Sequence, residues 1–157
     1  MVSIKWCMGN KDGIRLIEPD EKRSDSYVKM AEESIYSLKG VERSSIWTAT
    51  MTYYIFYYSL YSLMMRIGVK CEIHSCSLEF IKQCLAEFYS SRDIEMIEKA
   101  FEARTNVQYY ADRPVDAKSI EKAKQYCTTF FTKTQDILSS IKEDDLTKIR
   151  KKLKSLS

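Results

Sequence analysis

One stretch of the chain, FEARTNVQYYADRP at residues 101–114, carries side chains that could do chemistry. Ile94, Ile97 and Phe101 recur at helical spacing, and Arg104 takes the next place on that apolar stripe. A buried lone cation is costly, so the arginine needs partners or a surface that is covered only in part. Two readings follow. Its alkyl stem packs while the guanidinium reaches water or pairs with a carboxylate such as Glu98. Alternatively, it faces a cleft or a dimer seam and offers its five donors to a phosphate. Asn106, Tyr109 and Tyr110 stand close by in sequence as neutral hydrogen-bonding groups for such a ligand.

Other chemistries find little support. The four glycines, Gly9, Gly13, Gly40 and Gly68, are isolated, so no phosphate-cradling loop exists. His74 is the one histidine, too few for most acyl-transfer or metal sites. It reads as a residue that caps or packs at the start of a helix, with service as a base the alternative. The five cysteines, Cys7, Cys71, Cys76, Cys84 and Cys127, are scattered without a CxxC pair, so neither a metal site nor a cofactor is expected. They read as reduced thiols of a cytoplasmic protein, several of them packed in the core. The N-terminus, MVSIKWCMGNKDG, lacks the pattern of a signal peptide.

These side chains must be positioned by helices. At 157 residues and 45% hydrophobic, with four glycines and two prolines, the chain reads as one all-α domain with a real core. The net charge of +3 is too small to announce nucleic-acid binding. Residues 142–157 hold six Lys or Arg against three Asp or Glu, so the excess lies in the tail. That tail reads as a solvated, short amphipathic helix, with attraction to phosphate as a second possibility.

Residues 1–20 read as an N-terminal extension of two short strands, IKWCM and IRLI, around a turn. Residues 21–141 read as an up-and-down four-helix bundle. Its first helix ends near Gly40, and the second spans about residues 43–67 and is closed by Gly68. After a loop, a further helix from about Ser75 to Tyr89 would be capped by Ser75 or Ser77, with Leu78, Ile81, Leu85 and Phe88 inward. Helices over about residues 92–108 and 117–141 flank the break at Pro114. Trp47–Met65 is free of charge over 19 residues but holds five tyrosines, which suits a central helix better than a membrane span. Those tyrosines read as core and dimer seam, or as platforms for stacked bases.

Several motifs occur in an order that resembles the HEPN superfamily in its small standalone prokaryotic branch. They are the aromatic run Tyr53-Tyr54-Ile55-Phe56-Tyr57, Gly68, the pair His74-Ser75, Arg104 with Tyr109 five residues on, and the long helix DAKSIEKAKQYCTTFF. The resemblance spans about residues 22–141. It implies a four-helix bundle that pairs as a homodimer, with nucleotide or RNA phosphate held in a cleft at the seam by Arg104, Asn106, Tyr109 and Tyr110. It also implies a toxin–antitoxin-like partnership with a minimal nucleotidyltransferase. Many members are ribonucleases in which an arginine and a histidine meet their dimer mates. Here the histidine's place is taken by Tyr109 and Tyr110, and a phenol of pKa near ~10 is a poor base at neutral pH. An endoribonuclease using Arg104 and Tyr109 is therefore the alternative to a binding protein, and a purely structural dimer is a third.

Overall fold

The computed structural model describes residues 2–157, and these are mostly helical. Seven helices and two short strands follow in order: α1 (Ile4–Gly9), β1 (Arg15–Leu16), α2 (Glu21–Val41), α3 (Ser45–Ile67), β2 (Val69–Lys70), α4 (His74–Cys84), α5 (Ser91–Tyr109), α6 (Ala117–Ser140) and α7 (Glu143–Ser155). No helix among the described residues is long and apolar enough to cross a membrane.

Local chemistry explains most boundaries. Asp20, Ser44, Ser90 and Asp116 accept hydrogen bonds from the first-turn amides of α2, α3, α5 and α6. Gly68 ends α3 in the left-handed conformation at φ 85°, which a Cβ would strain. It would also crowd the Ile17 carbonyl oxygen at 2.5 Å. Arg150 of α7 donates to the carbonyls of Ile17, Ile67 and Gly68, so the basic tail is pinned across the end of α3. Its apolar residues Leu146, Ile149 and Leu153 are buried beneath it. The α7 helix is thus part of the packed body.

The long helix α3 runs through the middle and packs on α2, α5 and α6. Tyr53, Ile55, Phe56, Leu60, Leu63 and Met64 are all fully buried and Tyr61 nearly so, while Tyr54, Tyr57 and Tyr58 are half-buried at its edge. The α5 helix is tied to α6 by Asp93, whose fully enclosed carboxylate accepts from Tyr126 Oη at 2.7 Å and from the amide of Ser90 at 2.6 Å, and pairs with Lys133.

The N-terminal hairpin is not formed. The segment IKWCMG is helical because Ile4, Cys7 and Met8 share helical spacing and Ser3 caps the turn. The second strand does exist, but Arg15 and Leu16 pair with Lys70 and Val69, which puts strand into the supposed loop after α3. Neither Ser75 nor Ser77 caps α4. Ile73 is the N-cap and supplies no side-chain bond, while Ser77 is buried within the helix. That helix stops at Cys84, and the turn that follows swings Tyr89 inward onto Thr134 and Phe130 in place of Phe88.

The cysteines also depart from expectation. Cys7 and Cys76 form a disulfide across 69 residues, while Cys71, Cys84 and Cys127 are buried free thiols. Sequence spacing could not show this, because the two partners meet only when α1 folds against α4. A loop closed over such a length stabilises by about 2–4 kcal/mol.

Candidate functional site

Arg104 lies on the buried side of α5, 9% exposed. Among the described residues it forms no ion pair and no hydrogen bond, and its Nε is a buried donor without an acceptor. Glu98, the carboxylate that spacing offered it, is bound instead to Lys82 of α4. Aromatic faces surround the cation: the guanidinium carbon lies 5.3 Å from the Tyr53 ring centre, 5.6 Å from Tyr54 and 5.7 Å from Tyr109. Ring quadrupoles offset part of a cation's desolvation, by about 0.5–2 kcal/mol each. They supply no oxygen acceptor, so the N–H groups stay without hydrogen-bond partners among the described residues.

The α3 and α4 helices complete the cluster. The His74 ring stacks on Tyr57 at 4.2 Å and 13°, and Nδ1 lies 2.6 Å from Tyr53 Oη. Burial, with neighbouring Tyr57 second, pushes the Tyr53 phenol well above its usual range. The Tyr53 hydroxyl has no other hydrogen-bond partner among the described residues, so it keeps its proton and donates it to Nδ1. We therefore assign the imidazole proton to Nε2. Burial first, and the Arg104 charge second, lower the His74 pKa from 6.5 to about 4. At neutral pH the ring is thus an uncharged donor. It stands beside an unpaired guanidinium, which is a set of groups suited to an anion.

The expected site residues divide into two groups. Arg104 and Tyr109 come together, with Tyr109 66% exposed at the rim. Asn106 and Tyr110 are engaged elsewhere: Arg113 donates to Asn106 Oδ1 at 2.9 Å, and its guanidinium lies 3.6 Å above the Tyr110 ring. Asn106, two residues past Arg104, lies on the opposite side of α5, and Tyr110 is its C-cap residue, beyond the helix. Tyr53, Tyr54, Tyr57 and His74 were legible as separate features. Their convergence on Arg104 was not.

Other surfaces offer less. A cleft of about 510 Å³ between α5 and α6 is lined by Arg92, Lys99, Lys122 and Glu95, away from the Arg104 cluster. Its ions are exposed, and Glu95 already holds Lys99 at 2.6 Å. No group of three or more metal-ligating side chains occurs among the described residues. Comparison of the chain with family models, with curated proteins and with solved structures finds no match.

The buried neutral histidine makes stability depend on pH. A histidine whose folded pKa lies below its unfolded value binds protons more readily when the chain is unfolded. Its contribution is therefore complete above about pH 6.5 and is lost as pH falls towards 4. With the partly exposed ring discounted for solvent, the loss is on the order of 1–2 kcal/mol. Urea denaturation across this range, with His74→Gln as reference, is expected to show the extra slope only in the parent protein. Identical slopes would rule out a neutral His74.

Proposed function

We propose that this chain is a HEPN-type up-and-down four-helix bundle, built on α2, α3, α5 and α6, that acts as a homodimer. In it, two Arg104 cations converge on a phosphate of RNA or of a nucleotide. The observation that carries this reading is Arg104 itself, buried among tyrosines with no carboxylate and with His74 as a neighbouring donor. A cation that had evolved only to close an ion-pair network would have a carboxylate against it. An anion arriving from outside supplies the missing acceptors.

A second copy is the natural cover for the adjoining surface. Trp47, Met51, Tyr54 and Tyr58 follow one another along a single side of α3; Trp47 is 54% exposed and the others are half-buried. Met30 of α2 is likewise exposed. Aromatic and methionine side chains of this kind are enriched at interfaces. In this reading, Tyr109 lies at the rim beside the ligand, and a nucleotidyltransferase partners the dimer.

Ribonuclease activity is the second reading, favoured by the presence of His74 next to Arg104. The assigned tautomer makes His74 a donor rather than a ready base, so binding without cleavage is the better account. Sedimentation of the pure protein and fluorescence anisotropy with a labelled oligoribonucleotide test both. The expected result is a dimer with saturable, salt-sensitive affinity and intact RNA. A monomer that ignores RNA would sink the proposal, and shortened RNA without added metal would favour the nuclease.

A further inference from the structure

The disulfide sits two residues from His74, and that placement has consequences. His74, Ser75 and Cys76 form the first turn of α4, whose N-cap residue Ile73 offers no side-chain bond. An uncapped first turn is the part of a helix most prone to fray. What anchors it on the outer side is Cys76, joined covalently to Cys7 of α1. Both sulfurs are fully buried. On the inner side, His74 meets Tyr53 and Tyr57 of α3. The turn that carries the site's histidine is therefore clamped between a covalent bond and a pair of tyrosines.

Besides the disulfide, this region is held by Ile4 and Met8, half-buried against the core, and by a few backbone hydrogen bonds. Cys7 is the one fully buried residue of α1, a helix of six residues that is far too short to persist alone. The Cys7 carbonyl accepts from the Ile14 amide at 2.8 Å, and Asp12 accepts from the Glu72 amide at 2.9 Å. Val2 lines a cleft with Ser75, Leu78 and Phe101. These contacts hold α1 in place while the disulfide stands. Without it they are the short-range contacts of a six-residue helix with one fully buried residue, the kind of segment that opens locally before the rest of the fold.

We propose that the Cys7–Cys76 disulfide is a redox latch on the Arg104 site, opened by a dithiol reductant to release the first turn of α4 and His74 with it. The proposal rests on the binding reading above for its functional consequence, though not for the structural one. One thiolate of the reductant attacks a sulfur of the disulfide and displaces the other cysteine as thiolate. The reductant's second thiol then closes its own disulfide and frees the first cysteine. Two electrons pass from the reductant to the pair, and two protons end on Cys7 and Cys76. Because the sulfurs are covered, attack follows local opening of α1.

His74 is the only histidine in the chain, so its imidazole resonances report on the latch without assignment ambiguity. The groups facing it are Tyr53, Tyr54 and Tyr57 from α3 and Arg104 from α5. The experiment compares the oxidised protein, the dithiol-reduced protein and the Cys7→Ser variant by NMR titration and by anisotropy with the same labelled oligoribonucleotide. Alkylation under denaturing, non-reducing conditions should first find three free cysteines of five. Finding five would overturn the proposal at once. The oxidised form is expected to titrate near 4, and the other two forms to move towards 6.5. RNA affinity should fall roughly tenfold with loss of the ordered donor. The same titration in all three forms would overturn the latch. A shifted titration with no RNA affinity in any form would uphold the latch and sink the binding reading instead.

Discussion

Replacing Arg104 with alanine is expected to weaken RNA or nucleotide binding by roughly 10- to 100-fold while leaving the protein folded. A hydrogen bond to a charged group is worth about 1.5–3 kcal/mol, which sets that range. The stability change should be small, within about 1 kcal/mol, because opposing effects cancel. The side chain loses its contacts with Tyr53, Tyr54 and Tyr109, but a desolvated cation without a carboxylate is also removed. The single histidine should report the change as well, since Arg104 is one of the two influences that hold its pKa down. Anisotropy and thermal unfolding on the same sample separate the outcomes. Unchanged affinity with a large loss of stability or of dimer would mean that Arg104 is structural.

The Asp93→Ala variant should behave in the opposite way. Asp93 is also a buried charge on α5, but both of its oxygens are engaged: Tyr126 donates to Oδ1, and Ser90 and Lys133 donate to Oδ2. Burial alone would raise its pKa, and those hydrogen bonds, led by Lys133, outweigh burial and hold the carboxyl below its usual range. Alanine would leave Tyr126 and the Ser90 amide without their acceptor and would remove half of the capping box of α5. The expected cost is about 3 kcal/mol, seen as a fall of roughly 10 °C in Tm. Lys133 is 36% exposed and can turn to water, which keeps the figure at the low end for a broken buried pair. Affinity per folded molecule should not change, because Asp93 lies near the other end of α5 from Arg104. A loss below about 1 kcal/mol would show that the network is dispensable.

The two residues show where sequence reading succeeds. Arg104 stood out because a cation broke an apolar periodicity, and it is indeed buried. Asp93 did not stand out, since an acidic residue in the first turn of a helix is ordinary on its exposed side. Nothing local says that Tyr126 and Lys133 will arrive from 33 and 40 residues away. Likewise, the Glu98 offered to Arg104 by spacing was claimed by Lys82, a residue on another helix.

By itself the sequence determined six of the seven helices of the described residues, most of their ends and most of their inner faces, but read α1 as a strand. The stop at Gly68, the stripe Leu146–Ile149–Leu153 and the burial of Tyr53 and Tyr61 in the tyrosine run all follow from local conformational preference and apolar spacing. Only the tertiary structure decided which side chains meet across those faces. His74 finds Tyr53 across 21 residues, Arg15 pairs with Lys70, and Cys7 joins Cys76. Periodicity records that a residue points inward, because burial is a property of its own helix. It carries no record of what will lie opposite, since that depends on how all the helices pack at once.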